Sequence, residues 1–367
     1  MKILRKYLLK ELFLPFILSL SVLIFVMLMV TMFVGKSNIF SLIIGKGVSL
    51  TRIVKLILLQ LPNLLSWAIP LSILMATLLV IGRLSADNEI VAIQASGINL
   101  YKLCFPIIIV GLIISLASIP LNDRIKPNAD FAIRKIIKKI GFKSPAAFLE
   151  EGTFIRTFQD YIIFIYGIQG KKLSNIRIYQ PQEGKPTRTI IANQGEFLPL
   201  PKKDIVKLKL INGSSDEPNS KDPNSFYKLN FKTYYLTLNV SSGEQNLQKK
   251  LKDMSIRELR QQIRQLTKDK IEDTSPVITE INKKLSFAFS SLTFVLMGLP
   301  LAIWTRRRER FVGIGLSIGV FVVYYILFLA GEVLSIRGFI YPGLGVWLSN
   351  IVLTCIGLIL ILQTMKR

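Results

Sequence analysis

The sequence predicts an α-helical integral membrane protein with six transmembrane helices and an inserted periplasmic all-β, jelly-roll-like domain. Three observations lead there. Of the 367 residues, 51% are hydrophobic, and six stretches are apolar on every side, which marks lipid as their solvent. Residues 122–280 separate the first three stretches from the last three. Within that segment, apolar and polar residues alternate with the period of a strand.

The spans follow in order. Span 1 covers about Leu12–Val34 and is preceded by Lys2, Arg5, Lys6 and Lys10. It is too long for a cleaved signal peptide, and no small-residue cleavage site follows it. Span 2 covers about Leu56–Ile81, with Pro62 and Pro70 inside, and span 3 about Leu103–Leu121. Spans 4, 5 and 6 cover about Leu285–Trp304, Phe311–Leu334 and Leu344–Leu362. Each is long enough to cross about 30 Å of hydrocarbon at about 1.5 Å per residue.

Charge orients them. The chain carries a net +24, of which residues 122–280 hold 28 Lys/Arg against 18 Asp/Glu. The other 19 basic residues sit mostly at the ends of apolar runs, a membrane-anchoring pattern and not a nucleic-acid patch. Lys2, Arg5, Lys6, Lys10, Arg83, Lys102, Arg306, Arg307, Arg308, Arg310, Lys366 and Arg367 collect on one side of the membrane. The short loops opposite carry Lys36, Lys46, Arg52, Lys55 and Arg337. The richer side is cytoplasmic, so both termini are expected inside and the long insertion outside, in the periplasm of a two-membrane bacterium.

The insertion reads as β. Val206, Leu208 and Leu210 alternate with Lys207 and Lys209, and Tyr234, Leu236 and Leu238 alternate with Tyr235 and Thr237. Thr153–Phe158 and Tyr161–Gly167 suggest a hairpin around Gln159 and Asp160, while Asn212–Ser215 and Pro218–Asn224 read as turns. Ser255 and Glu258 form a capping box ahead of a helix whose Ile256, Leu259, Ile263 and Leu266 share a stripe. The expected organisation is residues 1–121 for spans 1–3, 122–254 for the β-domain, 255–282 for an amphipathic connector and 283–367 for spans 4–6.

Chemistry is sparse. Without histidine, the chain lacks the commonest general base and metal ligand. Cys104 and Cys355 lie in separate apolar runs and imply no disulfide. Gly35-Lys36-Ser37 is not a phosphate-binding loop, because Val30 stands where that motif needs glycine. These features argue against catalysis and ATP hydrolysis in this chain. The rival class is a membrane-embedded enzyme acting on a lipid-linked glycan, which needs polar groups clustered at a membrane face. A secondary transporter would place ionisable residues at mid-membrane, and no charge accompanies Pro62 or Pro70.

Between spans 2 and 3, Gly82–Ile98 reads as a short cytoplasmic helix over about residues 86–97. Asp87 is expected to cap it, Glu89 to meet its dipole and Gly97 to end it left-handed. It is either a plain connector or a grip for an ATPase groove. In span 5, Gly315-Leu316-Ser317-Ile318-Gly319 is a small-xxx-small motif that suits close packing against another span.

This stretch, with Glu89, Ala92, Ala95, Ser96 and Gly97, resembles the coupling helix of the LptF/LptG (YjgP/YjgQ) family of lipopolysaccharide export permeases. Glu280–Leu285 leading to Gly298-Leu299-Pro300-Leu301 resembles the family's span 4, and Phe311–Leu316 through Tyr324-Tyr325 and Gly331-Glu332 its span 5. Features around Arg337-Gly338 and Trp347–Asn350 lean toward LptF, and Gln94–Gly97 toward LptG; LptF is favoured. The resemblance implies a non-catalytic subunit without cofactor, pairing with a paralogous permease and an LptB-type ATPase dimer that binds the ATP. It also implies delivery of lipopolysaccharide to LptC and LptA-type bridge proteins. Asp87, Glu89, Ala92, Ala95 and Gly97 would then contact the ATPase. Lys36, Lys46, Arg52 and Lys55 would meet the lipid headgroup, and Gly315 and Gly319 would pack at a lateral gate. An aromatic and apolar β-domain face including Phe154, Phe164, Phe231, Tyr234 and Leu236 could cradle acyl chains.

Overall fold

The structure, a computed structural model, describes residues 2–34, 50–143, 152, 154–158, 161–169, 172–182, 185–200, 205–218, 226–239, 249–268, 273–305 and 310–366. Six of its helices are long and apolar enough to cross a membrane. Spans 1 and 2 are α1 (Lys2–Val34) and α2 (Leu50–Ala86). A short α3 (Glu89–Ala95) precedes span 3, which is α4 (Leu100–Pro120). Spans 4, 5 and 6 are α7 (Ser275–Thr305), α8 (Arg310–Ile336) and α9 (Leu344–Lys366). The chain divides into two compact units. Residues 1–31, 59–131 and 249–367 form the first, and residues 32–58 and 132–248 the second.

In the first unit α7 is the central post, packed against α4, α8 and α9. Its small polar residues explain this. Ser286, Ser290, Ser291 and Thr293 are all buried. Asn350 of α9 donates to the Ser286 carbonyl at 2.7 Å and to its Oγ at 2.9 Å, and Thr293 donates back to Asn350 Oδ1 at 3.2 Å. In lipid, where water cannot satisfy these groups, such bonds hold spans together while small side chains let backbones approach. Glycines serve the same end. A Cβ on Gly331 of α8 or Gly345 of α9 would run into the other's backbone oxygen, and one on Gly111 would meet Val295 at 2.9 Å.

Span 3 does not stop where its apolar run does. It passes through a π-turn, Leu121–Ile125, and continues as α5, Lys126–Lys143. Hydropathy falls at residue 122 while the backbone stays helical, so the segment first read as β-domain opens with helix. The π-turn is tied down on three sides. Asn122 Oδ1 accepts from Ser66 at 2.6 Å, its carbonyl accepts from Lys284 at 3.4 Å, and Asp123 Oδ1 accepts from the Ile256 amide at 2.6 Å. That amide begins α6, Ile256–Lys268, and the expected capping box is present. The Ser255 amide donates to Glu258 Oε2 at 2.7 Å, and the Glu258 amide donates to Ser255 Oγ at 3.3 Å.

The second unit holds six antiparallel strands in one sheet, paired in chain order. They are β1 (Phe154–Phe158), β2 (Tyr161–Gln169), β3 (Lys172–Gln182), β4 (Lys185–Leu200), β5 (Ile205–Pro218) and β6 (Phe226–Asn239). The β1–β2 hairpin closes with Phe158 opposite Tyr161, as its alternation predicts. Expected as jelly-roll-like, the strands connect as a meander among the described residues. Asn212–Ser215, read as a turn, lies inside β5, because pairing to both β4 and β6 runs straight through it. Asn212 accommodates this with a left-handed φ of 51°, and Gly213 leaves room where a Cβ would strike the Ile191 carbonyl oxygen and the Phe231 ring. Ile163, Ile165, Ile176, Ile178, Leu208 and Leu210 make the core of one face.

Candidate functional site

The short helix α3 is closed at its C-terminal end and differs from expectation at its start. Asn88, not Asp87, is its N-cap, with φ 58° and no side-chain cap bond. The Asp87 amide instead closes the last turn of α2 on the Arg83 carbonyl at 2.9 Å. At the other end Gly97, φ 79°, bonds to the Gln94 carbonyl at 2.9 Å and Ile98 to the Ile93 carbonyl at 3.3 Å. This is a Schellman ending, and the positive φ explains the glycine.

The two faces of α3 differ. Ile90 is buried in the cluster that includes Leu8, Leu12 and Leu84, and Ile93 packs partly against it. Val91, Ala92, Gln94 and Ala95 are exposed. The outward surface is therefore shallow and weakly apolar, flanked by half-buried Glu89 and exposed Asp87. That geometry suits a groove in another protein closing over small side chains.

Glu89 belongs to a charged chain that sequence reasoning missed. Tyr7 donates to Glu89 Oε2 at 3.3 Å, and Arg83 Nη2 donates to the Tyr7 hydroxyl at 3.4 Å and to Glu11 Oε2 at 2.9 Å. Tyr7 and Glu11 stand one turn apart on α1, and that i, i+4 spacing was the signal available in the sequence. A cavity of about 730 Å³ opens beside them, bounded by Lys10, Leu14, Leu18, Leu79, Val312 and Leu316 among others.

The remaining expected residues fall in separate places. Lys36 and Lys46 lie outside the described residues. Arg52 and Lys55 stand on the first turns of α2, half-buried and exposed respectively. Gly315 and Gly319 are exposed on α8, and a Cβ at either would meet nothing within 4 Å among the described residues. Close packing falls to Gly331 and Gly345 instead. The aromatic β-residues divide between two environments. Leu236 is in the core with Phe231 and Tyr234 beside it, whereas Phe154 is 61% exposed and stacks on Phe164 at 4.8 Å outside that core.

Two charged contacts are further additions. Lys126 Nζ sits 5.8 Å from the Trp67 ring centre and 5.7 Å from that of Phe287, a cation over two aromatic faces. Glu332 accepts from Lys283 at 2.5 Å and pairs spans 4 and 5. Among the described residues, no group of three or more His, Cys, Asp or Glu could hold a metal ion.

Comparison with known proteins agrees with the architecture. A family described as "Lipopolysaccharide export system permease LptF/LptG" matches residues 6–363. The uncharacterized protein RP871 of Rickettsia prowazekii (strain Madrid E) is 25% identical over 194 residues, 52% of each chain. The aligned stretch thus spans about half the length of that curated relative.

Proposed function

The chain belongs to the LptF/LptG family of lipopolysaccharide export permeases, and from that premise we propose that it is one permease subunit of an ABC-type lipopolysaccharide exporter of the inner membrane. It pairs with a paralogous permease, and an LptB-type ATPase dimer binds and hydrolyses the ATP. Lipopolysaccharide is drawn from the outer leaflet into the space between the two permeases and passed to LptC and LptA-type bridge proteins. The chain itself is non-catalytic, with both termini cytoplasmic and the β-domain periplasmic.

The observation that carries this reading is α3. It is a short helix closed at its C-terminus by the Schellman ending, anchored by Ile90 and presenting Val91, Ala92 and Ala95 outward. A coupling helix needs this form, because a partner's stroke moves the bundle only if the gripped element neither frays nor slides. Glu89 and Asp87 supply the acidic partners for a basic groove.

Other features support the pairing. Spans 1 and 5 leave most of their apolar surface uncovered by this chain, including Phe25, Val26, Ile318 and Ile326. Gly315 and Gly319 make the span 5 surface flat, which suits a sliding contact at a lateral gate. Arg52 and Lys55, with Lys36 and Lys46, supply cations for lipid phosphates. In the second unit β6 is 14 residues long and, among the described residues, pairs on one side only, an edge to which a bridge protein's strand can add.

The test is the Glu89→Lys variant expressed with the second permease and the ATPase. Reversing the charge is expected to cut ATPase copurification at least about tenfold, as loss of a close interfacial charge pair does. The variant chain is expected to stay monodisperse. Undiminished copurification with normal export would remove the coupling role.

A further inference from the structure

We propose that Tyr7, Glu11 and Arg83 form a strut that carries displacement of α3 into span 1. The inference rests on α3 being the ATPase-coupling helix and goes beyond it by naming the receiving element. Three observations converge on it. The first is the hydrogen-bonded chain Glu89–Tyr7–Arg83–Glu11, which links α3 to α1 both directly and through the end of α2. The second is where α1 is held. Among its described residues only Leu8, Leu12 and Ser19 are buried, and Leu8 and Leu12 join the cluster that contains Ile90 of α3. Positions 7, 8, 11 and 12 share one helical face, so the polar and the apolar contacts grip the same two turns.

The third observation is Pro15, which follows directly. Proline has no amide hydrogen, so the carbonyl of Glu11 lacks its helical partner and the helix bends most easily just beyond the gripped turns. Span 1 is thus a helix of about 50 Å gripped near one end, with a soft point at Pro15, beyond which Phe16 and Ser19 still touch the bundle. A shift of α3 reaches Tyr7 and Glu11 first, and the free length of the helix amplifies it. The strut residues act through α1; they are positioning residues.

The experiment uses the full complex of this chain, a second permease and the ATPase in proteoliposomes loaded with lipopolysaccharide. It measures lipopolysaccharide released per ATP hydrolysed. Glu11→Gln, Arg83→Gln and Tyr7→Phe are expected to keep the ATPase bound and to lower that ratio about two- to fivefold, the bias a partly exposed ion pair can supply. The exchange Glu11→Arg with Arg83→Glu is expected to restore at least half of the loss. An unchanged ratio in the single variants, a failure of the exchange to restore it, or loss of bound ATPase in the single variants would each overturn the strut. Glu89→Lys, run in parallel, separates the two readings. If it sheds the ATPase while the strut variants leave the ratio unchanged, the strut alone falls. If it retains the ATPase, the coupling role falls and the strut with it.

Discussion

Spans 2 and 4 and spans 1 and 5 are all apolar enough to cross a membrane, yet they live in different surroundings. In their most apolar windows, 78% of span 2 and 67% of span 4 are buried within the chain, against 6% of span 1 and 22% of span 5. The difference lies chiefly in the small polar residues. Span 4 carries Ser286, Ser290, Ser291 and Thr293, and span 2 carries Ser66, Ser72 and Thr77, all buried. Span 1 offers branched and aromatic residues such as Phe13, Val22, Phe25 and Val26 to its surroundings. In lipid, apolarity does not assign a helix to a bundle; polar seams and close backbone contacts do.

Glycine variants break this comparison hardest. Gly345→Leu places a side chain against the Gly331 backbone and is expected to destabilise the bundle by about 3 kcal/mol or more. Thermal melting in detergent will show it as loss of monodisperse protein. Gly319→Leu, on open surface, is expected to leave that melting unchanged and to reduce recovery of the paired permease. Equal melting losses in the two variants would erase the distinction between packed and free glycines.

The polar seam gives a smaller effect. Asn350→Leu removes the bonds to Ser286 and Thr293 and is expected to cost about 1–2 kcal/mol. Thr354→Val, at the far end of the same seam with one bond of 3.3 Å, is expected to cost less. The reverse ranking in the same melting assay would show that the seam is not organised around Asn350.

How much of this was legible in the sequence follows from the same physics. The six spans, the β-insertion and the Ser255–Glu258 box were visible because each rests on local periodicity or a local bond. Gly97 was visible because a left-handed helix ending favours glycine. The continuation of span 3 through its π-turn was not, since apolar composition ends at Leu121 while the helix does not. Nor was the course of β5 through Asn212–Ser215, where turn-forming residues sit in a strand held by neighbours on both sides. The partnership of Glu89 with Tyr7 joins residues 82 positions apart, and no local pattern encodes that.

The smallest expected effect lies at α6. Burial pushes the Glu258 carboxyl up, but hydrogen bonds from Lys249 and Ser255 outweigh it and hold the group below the ordinary glutamate value. A depressed folded value means the contribution is present above the unfolded pKa, about 4.3, and is lost as pH falls through the folded value. Protection of the α6 amides, relative to their intrinsic exchange rates, is therefore expected to fall as pH drops below about 4. Ser255→Ala is expected to cost about 1 kcal/mol of helix stability and to flatten that dependence. Protection that stays constant through this range would remove the cap from the account.

The central claim is that spans 1 and 5 present a working face to a second permease and the transported lipid. Photocrosslinkers placed at Val26, Ile318 and Ile326 in the full complex test it directly, with exposed Ile359 on span 6 as the control. The account predicts adducts with the partner permease or with lipopolysaccharide from the first three positions, and their redistribution when ATP is added. Adducts no more frequent there than at Ile359, and indifferent to ATP, would contradict it.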